Sequence, residues 1–173
     1  GSIGGAAFMN AGAYGEEMKD VVLSCTHMNP DGTIETFTAE QLDFAYRHSV
    51  YQKSHGIVLS VTFQLQKGDK QEIKAKMDDL MGRRREKQPL EYPSAGRVFK
   101  RPVGYFAGTM IEQCGLKGKT VGGAMVSPKH AGFIVNTGDA TCQDVLDLIS
   151  LIQTTVKEQT GIMLECEIRA IGG

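Results

Sequence analysis

Glycine punctuates this chain more than any other feature, and it limits how much of the backbone can run as long regular structure. Twenty-one of the 173 residues are glycine, about 12% where about 7% is usual, so much of the chain is set into tight turns or close contacts. Between the glycines lie segments of two kinds. Val21–His27 and Thr33–Phe37 flank Asn29-Pro-Asp-Gly32 and predict a hairpin, and the alternating, Val/Ile/Leu/Phe-rich Gly56–Gln66 predicts a strand. Lys70–Lys87 carries Ile73, Met77, Leu80 and Met81 at helical spacing and is stopped by Pro89 and Pro93. Phe106–Cys114 predicts a short helix ended by Gly115. Thr141–Gln159 is the strongest helix pattern: Thr141 and Asp144 make a capping-box start, Val145, Leu148, Ile152 and Val156 share a face, and Gly161 ends it. Thr38-Ala-Glu-Gln41 has a helix-start pattern, Phe44–Ser54 is irregular, and Phe133–Asn136 and Ile162–Ile171 predict further strands. Mixed helices and strands without an internal repeat predict an α+β fold in two lobes. The shift to Pro, Gly and Ser after the Lys70–Lys87 helix marks a boundary between them.

Charge is spread unevenly. Residues 83–101 hold seven Lys/Arg and two acids, a sum of +5, while the rest of the chain holds twelve basic and eighteen acidic residues, a sum of −6. Such a patch suits an anionic partner, of which phosphate is the commonest, or a helix end whose dipole favours cations. The overall charge of −1 gives no general pull toward nucleic acid, and no apolar run reaches membrane-span length. Cys25, Cys114, Cys142 and Cys166 show no metal-ligand spacing with the four histidines and read as reduced, cytoplasmic packing thiols, with no metal site.

Four constellations stand out. Gly1-Ser-Ile-Gly-Gly-Ala6 and Asn10-Ala-Gly-Ala-Tyr-Gly15 suit a loop whose backbone N–H groups cradle a phosphate, or simply turn-forming glycines; the spacing is not that of a dinucleotide-binding fingerprint. Phe44-Ala-Tyr-Arg-His-Ser49 sets Arg47 among aromatics, fit for an oxyanion or for a packed surface stem. Tyr92-Pro-Ser-Ala-Gly-Arg-Val-Phe-Lys-Arg-Pro102 combines small residues with cations. In Leu164-Glu-Cys-Glu-Ile-Arg-Ala170, strand alternation sets Glu165, Glu167 and Arg169 on one face, either an exposed edge or a functional set.

Taken in order with the segment from Gly108 to Asn136, these motifs closely resemble the UDP-N-acetylenolpyruvoylglucosamine reductase (MurB) family of peptidoglycan synthesis, in its shorter subtype, over essentially the whole chain. The resemblance implies a remnant of a two-subdomain FAD-binding region, of the vanillyl-alcohol-oxidase (PCMH) kind, followed by a small α/β substrate-binding domain. Residues 1–80 correspond to the second FAD-binding subdomain, with the first absent from this chain, and 81–173 to the C-terminal substrate domain. It implies NADPH- and FAD-dependent reduction of the enolpyruvyl group of UDP-N-acetylglucosamine enolpyruvate, in the bacterial cytoplasm, without nucleic-acid or membrane partners; the sequence leaves the oligomeric state open. By motif position, Arg47 and Glu167 match residues that stabilise the enol-type intermediate. Ser2, Gly4, Gly5, Asn10, Gly12, Ala13, Tyr14 and Arg169 match flavin contacts, and Lys87, Lys100 and Arg101 match substrate contacts.

One position departs from the family. Its proton donor, a serine or in some members a cysteine, directly follows Ala-Gly in an Ala-Gly-Ser-x-Phe-Lys motif, and here that position is Arg97. A guanidinium, with a pKa above about 12, is a poor proton donor. Three readings stand: an inactivating or engineered change, protonation through nearby Ser94 or water, or departure from catalysis with Arg97 drawing phosphates. The rival to an impaired reductase is a non-catalytic UDP-sugar or nucleotide binding module. A small-molecule oxidase of the same FAD-binding superfamily fits less well, because the Lys87-Gln-Pro89 segment, the Ala95–Pro102 motif and the Glu-Ile-Arg terminus argue against it.

Overall fold

The computed structural model describes residues 1–171. The chain is α+β and divides into two compact units, Gly1–Asp69 and a second from Lys70 onward, so the Lys70–Lys87 helix belongs whole to the second.

In the first unit the Gly1–Ala6 run is helical and does not form a set of turns. It opens helix α1 (Ile3–Phe8), because the Ser2 hydroxyl accepts the Gly5 N–H at 3.1 Å and caps the first turn. Gly4 then lies against Val58, 3.6 Å from where a Cβ would stand. Strands β1 (Gly12–Ala13) and β2 (Glu16–Glu17) form a tiny hairpin through Tyr14 and Gly15, both left-handed as a tight two-residue turn requires.

The predicted larger hairpin forms as β3 (Val22–Met28) and β4 (Ile34–Thr38), with Cys25 opposite Phe37. Its turn closes by Gly32 N–H to Asn29 O (2.9 Å), with Gly32 at φ +87°. Thr38-Ala-Glu-Gln41 does not start a helix. Gln41 does accept the Thr38 N–H at 2.9 Å, as a cap would, yet the chain only turns through Leu42, whose side chain is drawn into the core. A four-residue helix α2 (Tyr51–Ser54) follows, then β5 (Ile57–Phe63) on the other side of β3, giving the antiparallel order β4-β3-β5. Ala7, Val22, Cys25, Leu42 and Tyr51 form the core. His27 is fully buried with them, its Nδ1 3.3 Å from the Tyr51 hydroxyl.

The second unit begins with α3 (Lys70–Lys87), the predicted helix, but none of its residues is buried. Ile73, Met77 and Met81 all remain exposed. Ion pairs one turn apart, Lys74–Asp78 at 2.6 Å and Asp79–Arg83 at 2.8 Å, support the exposed helix instead. The sheet is β6 (Ser94–Arg97), β7 (Thr120–Val121), β8 (Ala124–Val126) and β9 (Phe133–Asn136), antiparallel in the order β6-β9-β8-β7. Helices α4 (Ala107–Gln113) and α5 (Cys142–Thr160) complete it. Val98, Ile111, Val126, Ile134, Leu148, Ile152, Val156 and Leu164 build the core.

Helix α5 follows its sequence signals closely. Thr141 Oγ1 accepts the Asp144 N–H at 3.1 Å, Asp144 accepts the Thr141 N–H at 2.9 Å, and Gly161 is the left-handed C-cap. The predicted final strand does not form. Residues 162–171 make only an isolated bridge, Phe99 to Cys166, with Lys100 N–H to Glu165 O at 2.9 Å and Glu167 N–H to Val98 O at 2.8 Å. The segment is tied mostly by side-chain burial: Leu164 enters the core, and Gln153 of α5 donates to its carbonyl at 2.7 Å. The shared face drawn for Glu165, Glu167 and Arg169 therefore has no strand beneath it; Glu165 and Arg169 are exposed and Glu167 is half-buried.

Among the described residues no helix is long and apolar enough to cross a membrane. None of their His, Cys, Asp and Glu side chains gather in threes as metal ligands would. The four cysteines are free thiols, Cys25 buried and Cys142 exposed.

Candidate functional site

In the first unit, Asn10 is the residue around which the named loops are built. It is fully buried and left-handed (φ +46°), a conformation asparagine tolerates better than most side chains. Its Nδ2 donates to Glu17 Oε2 at 2.9 Å and to the Ala45 carbonyl at 3.0 Å, and its Oδ1 accepts the Lys19 N–H at 2.9 Å. These bonds tie the end of α1, the residues after β2 and the Ala45–His48 turn together. Glu17 completes the knot with a 3.0 Å ion pair to Lys19, and hydrogen bonds from Lys19 and then Asn10 hold its carboxyl below the usual range. Gly12 has no room for a side chain: a Cβ would stand 2.6 Å from Glu17 Cγ and 2.8 Å from the Glu16 carbonyl.

Arg47 sits on the turn that Asn10 anchors. Its backbone is left-handed (φ +53°), which costs a non-glycine residue about 1 kcal/mol and persists only where surroundings impose it. Here they do: Gln52 Nε2 donates to the Arg47 carbonyl at 2.7 Å, and the turn is bridged between Ala45 and His48. The guanidinium reaches the Gly12 carbonyl at 3.5 Å and lies 5.2 Å from the centre of the Tyr46 ring. Tyr14, also left-handed (φ +57°), is half-exposed on the neighbouring β1–β2 turn. Ser2 and Gly5 are exposed at the start of α1.

The second unit carries the other candidates. Gly96 (φ +81°) lies within an irregularity of β6, where Ser94 pairs with Val135 and Arg97 with Phe133. A Cβ at Gly96 would meet nothing within 4 Å, so glycine is needed there for its backbone conformation and not for space. Arg97 projects from that irregularity, and Glu167 donates its N–H to the carbonyl of the next residue, Val98. Lys100 pairs with Glu165 at 3.2 Å at the surface. The Arg101 guanidinium covers the Phe106 ring at 4.0 Å and its Nε donates to the Tyr105 carbonyl at 3.3 Å. Lys87 is in the last turn of α3, with Arg84 and Arg85, where cations suit the helix dipole. Part of the basic patch is neutralised locally, Arg83 by Asp79 and Lys100 by Glu165, while Lys129, from outside it, approaches the patch's own Glu91 at 3.4 Å.

His130 lies within the Gly108–Asn136 segment, and nothing in the pattern of residues there marks it for a role. Its Nδ1 accepts the Gly132 N–H at 3.0 Å, its ring meets Phe133 edge-on, and its Nε2 stands 3.5 Å from an Arg97 guanidinium nitrogen. Burial, then the Arg97 charge, pushes the imidazole pKa below its ordinary value. No spacing rule connects two residues 33 apart, so only a family motif could have drawn attention to it.

These features are those of an α+β chain whose cations are displayed on ordered turns. Residues 88–171 match the family model described as "UDP-N-acetylenolpyruvoylglucosamine reductase, C-terminal domain". The chain thus carries the C-terminal domain of the UDP-N-acetylenolpyruvoylglucosamine reductase (MurB) family and is similar to proteins of that name along its whole length. It is 59% identical to the reductase of that name from Limosilactobacillus reuteri over 99% of this chain and 58% of the relative. It is 56% identical to the one from Enterococcus faecalis, over 99% of this chain and 57% of the relative. The crystal structure of UDP-N-acetylenolpyruvylglucosamine reductase from Thermus caldophilus superposes with a TM-score of 0.84 at 38% identity, covering 96% of this chain and 59% of that one. The chain thus spans somewhat under three-fifths of the length of these relatives.

Proposed function

We propose that this chain supplies the substrate-binding domain and part of the FAD-binding region of a cytoplasmic reductase that converts UDP-N-acetylglucosamine enolpyruvate to UDP-N-acetylmuramate with NADPH. The observation that carries this reading is the continuous match, at 59% identity, across 99% of the chain to a protein bearing the reductase name. On this reading the first unit is the second FAD-binding subdomain and the second unit binds the UDP-sugar.

The residues of the first unit fit a flavin dinucleotide at two accessible places. At the start of α1, a Cβ on Gly5 would meet only the Ser2 hydroxyl, at 3.4 Å, so the exposed backbone of Ser2 and Gly5 can be approached closely, while Gly4 packs on Val58 and seats the helix. On the β1–β2 turn, Ala13 and Tyr14 offer backbone and an aromatic face. Asn10 and Gly12 act one layer behind, Asn10 because its polar atoms are committed to the chain and Gly12 because it makes the turn possible. In the second unit, Arg169 is assigned to the same group. FAD, when bound, supplies the hydride relay between NADPH and the enolpyruvyl double bond.

The protein's own part is electrostatic. By the resemblance, Arg47 in the first unit is assigned to the negative charge that develops on the enolpyruvyl group, Glu167 in the second to the enol-type intermediate, and Lys87, Lys100 and Arg101 to attracting the anionic substrate. Arg97 occupies the proton-donor position and lowers or abolishes that step. The same guanidinium favours a second reading, a UDP-sugar or nucleotide binding module without turnover. Incubating the chain with FAD, NADPH and UDP-N-acetylglucosamine enolpyruvate separates the two. Sugar-dependent NADPH consumption supports the reductase, and a raised Tm with UDP-N-acetylglucosamine but no NADPH consumption supports the binding module. Neither response at millimolar ligand sinks both.

A further inference from the structure

His130 and Arg97 meet as two donors with no acceptor between them. The Gly132 N–H points at Nδ1 at 3.0 Å, so that nitrogen is the acceptor and the proton of the neutral ring sits on Nε2. Nε2 in turn faces the Arg97 guanidinium at 3.5 Å, and a guanidinium can only donate. Among the described residues no carboxylate or carbonyl pairs with Arg97. Two N–H groups aimed into one space, one of them charged, are the counterpart of an oxygen that carries negative charge.

The imidazole is held there by construction. Cβ atoms at Gly108 or Gly132 would stand 3.0 Å from its Cε1, so these two glycines leave the ring its slot. Phe133 closes the ring's edge at 5.0 Å between centroids. The Ser127 hydroxyl accepts the His130 N–H at 3.3 Å, and the His130 carbonyl accepts the Phe133 N–H at 3.0 Å, which fixes the backbone as well. Arg97 follows the irregularity at Gly96 and rejoins the ladder opposite Phe133, the residue whose ring packs on His130. The charged groups around the ring are Arg97 on β6, Lys117 after α4 and Glu112 on α4. Both cations push its pKa down and Glu112 opposes them weakly, so the local field is positive.

We propose that Arg97 and His130 form a two-donor seat for an anionic oxygen, of a phosphate or a carboxylate, on a ligand of the second unit. Under the reductase reading, on which the choice of ligand rests, that oxygen belongs to the substrate's diphosphate or to its enolpyruvyl carboxylate. The seat then holds substrate at the position where the family places its proton donor. Arg97 becomes a binding residue, and the neutral Nε2–H of His130 adds a directional hydrogen bond.

The test follows the His130 ring by NMR in the 173-residue chain, titrated with UDP, with pyruvate, and with uridine as the uncharged control. The seat predicts that one of the two anions raises the His130 pKa toward its ordinary value, while uridine leaves it unmoved. A response to UDP assigns the diphosphate, and a response to pyruvate assigns the carboxylate. Arg97→Met keeps the aliphatic stem and removes the charge. It is expected to weaken that anion about ten- to hundredfold, with Arg97→Lys recovering part of the loss. An unmoved His130 pKa with both anions, or equal affinity in Arg97→Met, overturns the proposal. The two readings fail separately. Sugar-dependent NADPH consumption with an unchanged KM in Arg97→Met removes the seat and leaves the reductase, whereas anion binding at His130 without any reduction does the reverse.

Discussion

Replacing Asn10 tests whether one buried amide organises the loops of the first unit. Asn10→Ala removes one hydrogen bond to a carboxylate and two to backbone groups, and it strands the Ala45 carbonyl and the Lys19 N–H. A hydrogen bond to a charged group contributes about 1.5–3 kcal/mol and a neutral one about 1 kcal/mol. Alanine also occupies the left-handed region less readily than asparagine, at about 1 kcal/mol. The loss comes to about 4.5–6 kcal/mol, a large share of what a unit of this size can have. Asn10→Gly separates the contributions: it forfeits the same hydrogen bonds but adopts φ > 0 freely, and should recover about 1 kcal/mol relative to alanine. The two units need not unfold together, so stability is best read by native-state hydrogen exchange at β3 amides such as Cys25 and His27. A loss below about 1 kcal/mol in Asn10→Ala would falsify the idea that this side chain ties the Ala45–His48 turn to α1.

Two further outcomes follow from the second unit. Thr141→Ala removes the N-cap of α5 and should cost about 1 kcal/mol by denaturant titration; no change in midpoint would mean that α5 is set by its buried face alone. His130 titrates in the folded state below its ordinary value, because of burial and then Arg97. Its contribution to stability is therefore present above the unfolded pKa of 6.5 and is lost as pH falls through the lower folded value. Mild acid should lower the Tm of the second unit, and less so in His130→Gln; an equal fall in both would assign the effect to other groups.

Where sequence reading succeeded, the deciding interactions span only a few residues. Asn29–Gly32 closes its own hairpin, Thr141 and Asp144 cap each other, and Gly161 ends α5 by its left-handed backbone. The helix over Lys70–Lys87 could likewise be drawn from spacing, but its exposure could not. An apolar stripe states a preference for burial, and only the rest of the fold provides a surface for it. Thr38–Gln41 carries a local cap signal, and the burial of Leu42 accompanies a turn in place of a helix. In residues 162–171 an alternating pattern met too few partner groups to become a strand.

The candidate site divides in the same way. The chain itself marks Arg47, the Arg97 motif and Glu167 as unusual, and it carries the family resemblance in their order. It does not say that Asn10 reaches Ala45 across 35 residues, or that His130 turns its Nε2 toward Arg97 across 33. Caps and turns are set by backbone groups within reach along the chain, whereas these contacts exist only once separate segments are packed and their buried polar atoms must find partners.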